Sequence, residues 1–219
     1  MTAALLALIL ICSNTAAQAL PASVDLLGKM ATTIKSNPAM ELSFEMVAKD
    51  SDGFVSGNFK GTVQAQGQSF RLINPMLEIH CDGLSKWILN NETGELTIFP
   101  NDTTQADLIE NPVGFLTTLN NGNNSYSYSS KAKEGLSPHS GKGLWYVELT
   151  PKARHTPYKS IVIGIEKESS LPASIEYIST DGSNYTIIIT KLTKMPLWPD
   201  NYFRFPKERT NGLIVTDLR

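Results

Sequence analysis

The chain has 219 residues, enough for one sizeable core, and its composition (41% hydrophobic, 18% charged) is that of a globular protein. Its net charge of −2, with no basic run, argues against a nucleic-acid partner and against an electrostatically held membrane surface.

Residues 1–19 read as a secretory signal peptide. Ala3 to Ile11 is an uninterrupted apolar run, and Ala17-Gln18-Ala19 offers a small-x-small cleavage site. The run is short for a bilayer span. Cys12 follows Ile11, where a lipoprotein signal needs a small residue. The basic segment expected ahead of the run is missing, so the true start is expected upstream. Residues 20–219 then form a single exported domain, left with one cysteine, Cys81, and no intramolecular disulfide.

Between Pro21 and Ser36, Val24, Leu27, Met30, Ala31 and Ile34 recur at three- and four-residue spacing, one apolar stripe on an amphipathic helix. Ser23 and Asp25 suggest its N-terminal cap, and Asn37-Pro38 its end. From Met40 to Lys49, Leu42, Phe44 and Met46 alternate with Glu41, Ser43 and Glu45, a strand that Asp50 to Gly53 turns back. Phe59 to Phe99 reads as a β-meander. Its strands are Phe59–Ala65, Phe70–Ile73, Leu77–Cys81, Trp87–Leu89 and Leu96–Phe99, with turns at Gln66–Gln68, Asp82-Gly83 and Asn90–Gly94.

Pro100 to Gly114 is polar and reads as a loop, feeding a short helix from Val113 to Leu119 with Phe115, Leu116 and Leu119 on one side. The Asn120–Asn124 run is a turn, Tyr126 and Tyr128 lie on a short strand, and Lys131 to Gly143 reads as loop. Leu144 to Leu149 is a strand bearing Trp145 and Val147. Further strands follow at Ile161–Ile165, Ser174–Ser179, Tyr185–Leu192 and Leu213–Val215. Three consecutive isoleucines, Ile187 to Ile189, imply a strand covered on both faces. No repeat or linker divides the chain. The fold class is mainly β with helices (α+β), and the helix ahead of the sheet buries its stripe on the sheet's concave face.

Chemical motifs are missing from the sequence. His80, His139 and His155 have no second ligand at metal spacing. His80, Cys81 and Asp82 resemble a nucleophile set, but neighbours on a strand face opposite ways. Asp102, Asp107 and Glu110 sit in a polar loop, where solvated carboxylates are the default. Four Asn-x-Ser/Thr sequons, at Asn91, Asn101, Asn123 and Asn184, have meaning only in a eukaryotic secretory pathway. No catalytic residue, metal or cofactor is expected, so an enzyme is not.

What the sequence offers is apolar side chains on a curved sheet. Phe44, Met46, Phe59, Phe70, Leu72, Trp87, Ile98 and Trp145, with Phe115, Leu116 and Leu119 of the short helix, either fill an ordinary core or line a cavity that the helices close. Such a cavity suits acyl chains, because each buried methylene stabilises by about 0.8 kcal/mol.

The order of landmarks resembles the periplasmic outer-membrane lipoprotein carriers, the LolA-like family. The landmarks are a signal peptide, an amphipathic helix, a Phe44-containing strand with Asp52-Gly53, and Gly57 and Gly61 flanking a strand. After these come CDGLSKWILN (Cys81–Asn90), NPVGFL (Asn111–Leu116), WYVELTPKA (Trp145–Ala153) and YFRFPKERTNGLIV (Tyr202–Val215). The resemblance implies an unclosed antiparallel β-barrel, a half-barrel of about eleven strands covered by the N-terminal helix and short lid helices. It further implies a monomeric periplasmic carrier whose cavity accepts the acyl chains of lipoproteins. An inner-membrane ABC transporter would load it, and an outer-membrane acceptor would unload it. The family's Arg-Pro pair, which latches the lid, is replaced here by Ala65-Gln66-Gly67. The alternatives are a lipid- or glycolipid-binding or protein-recognising sensor domain on the same half-barrel, and a lipid-anchored outer-membrane acceptor.

Overall fold

The computed structural model describes residues 20–102, 108–119, 125–154 and 156–219. The expected signal peptide, Asp107, the Asn120–Asn124 turn and His155 lie outside them.

The first element, α1 (Ser23–Lys35), buries Leu27, Met30, Ala31 and Ile34, as its stripe requires. Its cap differs from the Ser23/Asp25 expectation. Ala22 is the N-cap and makes no side-chain bond. Ser23 is instead inside the first turn and fully buried, its N–H donating to the Ser130 carbonyl. Ala132 N–H reaches back to the Pro21 carbonyl and the Ser129 hydroxyl lies 3.3 Å from that of Ser23, so the passing segment, not a capping side chain, pins the helix start.

Ten antiparallel strands make up two meanders. The first comprises β1 (Ala39–Lys49), β2 (Val55–Gln66), β3 (Ser69–Ile73), β4 (Leu77–Cys81), β5 (Ser85–Asn90) and β6 (Glu95–Pro100). The second comprises β9 (Gly143–Pro151), β10 (Tyr158–Glu166), β11 (Pro172–Ser179) and β12 (Asn184–Lys194), preceded by α2 (Pro112–Thr118), β7 (Tyr126–Tyr128) and β8 (Lys133–Leu136). A seam between β1 and β12 joins them, with Met40 opposite Lys194 and Lys49 opposite Asn184. β7 and β8 both pair with β9. At the other end β13 (Ile214–Asp217) pairs parallel with β6. Among the described residues the result is one unclosed sheet of 13 strands, a half-barrel with helices on its inner face. The strand count exceeds the eleven expected.

Three further expectations change. The stretch read as loop after Lys131 contains β8, whose residues Lys133, Glu134 and Gly135 give no alternation to read. Tyr158 to Glu166 and Gly143 to Pro151 extend their strands past the apolar cores that signalled them. Finally, β12 is not covered on both faces: Ile187 is buried, but Ile188, on the other face, is half-buried.

Register decides which face each residue serves. On β4, Ile79 and Cys81 point inward with Leu72 and Phe70 of β3, while Glu78 and His80 point outward. His80 pairs with Trp87, which pairs with Ile98, and Leu89 with Leu96, so these four apolar residues share the outer face. The C-terminal segment crosses that face as a strap from Met195 to Leu213. Trp198 N–H donates to Gln66, Tyr202 to Gln64 and Arg204 to Asp82, and Phe205 packs on Trp87, Leu89, Leu96 and Ile98. The sheet therefore has a large inner core against α1 and α2 and a small outer core under the strap.

An apolar cavity beneath a loop roof

The inner face of β1 presents Leu42, Phe44 and Met46. Their neighbours on that face are Phe59 of β2, Leu72 of β3, Ile175 and Tyr177 of β11, and Ile187 and Ile189 of β12. These residues line a cavity of about 50 Å³, almost wholly apolar, roofed by Leu108, Ile109 and Pro112 and bounded by Asn74 and Leu77 at the β3–β4 turn. Its walls give a water molecule almost no hydrogen-bonding partner, so it is a space suited to apolar groups.

Phe44 lies across this floor because Gly61 is its cross-strand partner. A Cβ at Gly61 would stand 2.3 Å from Phe44 Cζ, so only glycine lets the ring lie flat there. The roof is set by Asn111, whose Oδ1 accepts the Gly114 N–H at 2.8 Å and caps α2. Gly114 is needed too, since a Cβ would meet that same side chain at 2.4 Å. One residue earlier, Glu110 pairs with Lys86 of β5 and ties the roof to the sheet.

Of the residues singled out in the sequence, Phe44, Met46, Phe59 and Leu72 line the cavity. Phe70, Phe115, Leu116 and Leu119 are buried in the same core without lining it, Phe115 meeting the Tyr126 ring edge-on at 5.7 Å. Trp145 is half-buried on the inner face, with Lys167 Nζ 4.2 Å from its ring centroid. Trp87 and Ile98 belong to the outer core instead. Sequence reasoning passed over Leu42, Ile175, Tyr177, Ile187 and Ile189, all legible by alternation, and Leu108 and Ile109, hidden in a polar stretch.

The polar chemistry lies on the opposite face. Glu78, 5% exposed, accepts from both guanidinium nitrogens of Arg209 at 2.8 Å, from Arg71 at 3.1 Å, and contacts His80 Nε2 at 2.7 Å. Burial pushes its carboxyl up, but the bonds from Arg209, His80 and Arg71 together outweigh that and hold it well below the usual carboxylate range. Arg209 also stacks over Phe205, whose ring meets His80 at 5.2 Å. This cluster fastens the strap. Cys81 faces inward, away from His80, and burial pushes its thiol up, against thiolate formation. Among the described residues no group of three or more His, Cys, Asp or Glu is placed to hold a metal ion, and no helix is long and apolar enough to cross a membrane.

No protein-family model and no curated protein matches the chain. A solved structure does share its fold, and others superpose less well. An uncharacterized conserved protein from Thermus thermophilus superposes with a TM-score of 0.55 at 11% identity, over 86% of this chain and 97% of that one. A LolA superfamily protein from Nitrosomonas europaea superposes with a TM-score of 0.42 at 11% identity, over 84% of this chain and 98% of that one. The MucA/MucB complex of Pseudomonas aeruginosa gives a TM-score of 0.40 at 13% identity, over 84% of this chain and 61% of that one. At 11% identity the first of these speaks to the fold alone.

Proposed function

We propose that this chain is a periplasmic lipoprotein carrier of the LolA-like kind, exported by a signal peptide over residues 1–19 and folded as one domain over residues 20–219. The observation that carries the proposal is the apolar cavity on the inner face, walled by Phe44, Met46, Phe59 and Leu72 and roofed by a loop and short helix. In a structural core such a space is normally filled by side chains. Here it lies under a roof that the Lys86–Glu110 ion pair helps tie to the sheet, where the family has its Arg-Pro latch.

An acyl chain is much larger than the space present, so loading requires the roof to lift. Each methylene then buried stabilises by about 0.8 kcal/mol, and part of that gain offsets the cost of opening. No bond is made or broken. The inner-membrane ABC transporter and the outer-membrane acceptor are the partners this reading assigns, transfer following differences in affinity between successive binders.

Native mass spectrometry of residues 20–219 with a purified triacylated lipoprotein, against its deacylated form, tests the reading. A one-to-one complex that needs the acyl chains supports it. Equal binding of both forms would favour a protein-recognising domain. Binding of neither, with free lipid retained, would assign a different lipid cargo.

A further inference from the structure

The β1–β2 hairpin outruns its neighbours. β2 pairs with β1 from Val55, but β3 reaches β2 only from Thr62 to Gln66. Among the described residues no strand covers the other edge of Val55–Gly61, which leaves backbone donors and acceptors open there. The β3–β4 turn at Asn74 closes one end of this notch.

Two features meet at the notch. On the inner side, Phe59 of the open edge lines the apolar cavity. On the outer side lies a depression of about 750 Å³ lined by Ser43, Glu45, Lys60, Thr62 and Gln64, among others. Phe44 and Asn74 line both spaces, so the apolar cavity and the polar groove are adjacent across the notch. The groove's charges cancel: Glu41 and Glu45 against Lys60 and Arg71, with Lys60 Nζ 2.6 Å from Glu45. Gln64 donates to Glu41 at 2.8 Å, and Arg71 Nε is buried without a partner among the described residues.

We infer that the groove and the free edge of β2 hold the peptide that follows the acylated residue of the cargo, lying as an added strand while its acyl chains pass through the notch into the cavity. The inference rests on the carrier reading above. An open strand edge recognises a backbone in any sequence, which a carrier of many cargoes needs. A balanced groove rich in amide and hydroxyl groups suits a peptide, whereas an anionic lipid headgroup calls for net positive charge.

The test compares three probes on the mature chain: a fatty acid, a triacylated cysteine amide, and the same triacylated cysteine at the head of a short peptide. Wild type is expected to bind the peptide form about tenfold more tightly than the amide, a few net hydrogen bonds' worth. Thr62→Trp, which fills the groove, should abolish that difference and leave fatty-acid and amide binding unchanged. Hydrogen exchange of Val55–Gly61 amides should slow with the peptide form only. Equal affinity of wild type for amide and peptide forms, or no added protection, overturns the inference while leaving the carrier intact. A lysophospholipid bound in preference to the peptide form, and lost in Thr62→Trp, makes the groove a headgroup site and also overturns it. If none of the probes binds, the carrier reading falls and this inference with it.

Discussion

Gly61→Ala probes the cavity wall directly. The new Cβ would lie 2.3 Å from Phe44 Cζ, 2.7 Å from Cε1 and 3.0 Å from the Ile73 carbonyl oxygen. The carbonyl is held in the sheet, so the ring must yield, and the open apolar space beside it is the cavity of about 50 Å³. Overpacking of this kind costs about 1–3 kcal/mol. Removing a glycine from a strand returns about 0.5–1 kcal/mol, so the net loss should be about 0–2 kcal/mol. For a domain of this size that lowers the melting temperature by up to about 8 °C. A ring swung into the cavity takes the room of roughly two methylenes, worth about 1.6 kcal/mol, and weakens acyl binding about tenfold. Thermal denaturation and displacement of a fluorescent fatty acid measure the two effects. Adding Phe44→Leu should restore binding. A Gly61→Ala protein with wild-type acyl affinity would refute the reasoning, because the ring would then not be the wall.

Three other outcomes follow from the same contacts. Glu78→Gln should cost about 2–3 kcal/mol in urea unfolding at neutral pH, below the range for a fully buried pair because Arg209 is partly exposed. Glu78's folded carboxyl titrates below its unfolded value, so its contribution is present above about pH 4.3 and lost as pH falls further. The wild type should therefore lose its margin over Glu78→Gln under acid, and parallel pH profiles would contradict the cluster. Trp87→Ala should lower stability by about 3–5 kcal/mol, yet leave fatty-acid affinity of the folded protein unchanged, as its place in the outer core demands. Ile109→Asp, at a roof position 44% exposed, should leave the melting temperature within about 2 °C and weaken acyl uptake at least about tenfold. Unchanged uptake would remove Ile109 from the roof.

Most of the sheet was legible because alternation is a local signal. The stripe of α1, the meander from β2 to β6 and the short helix α2 lie within a few residues of their expected bounds. The cavity was legible only in part. Phe44, Met46, Phe59 and Leu72 were placed by the parity of their strands, but Trp87 and Ile98 were assigned to the wrong face. Parity says that Trp87 shares a face with His80 and not with Cys81; it does not say which face the helices cover. That was settled by the strap, whose Phe205 and Arg209 lie more than a hundred residues further along. The roof was missed for a different reason: Leu108 and Ile109 are two apolar residues in a polar loop, with no period to reveal them. The helix cap differs because Ser23 sits inside the first turn, where its N–H donates to the Ser130 carbonyl, and Ala22 takes the cap position.

The seam between β1 and β12 has a consequence for the order of folding. Every other antiparallel pairing within the two meanders joins strands that follow one another in sequence, and such hairpins close quickly. The seam instead joins Met40–Lys49 to Asn184–Lys194, across almost the whole domain. A chain emerging N-terminus first therefore finishes its first meander with one long flank of β1 still unpaired. That flank waits until the final meander is made, and open strand edges are where chains stick to one another. Zipping of this seam is expected to be the slow step of folding, and the half-zipped chain is the species a holding chaperone would have to guard.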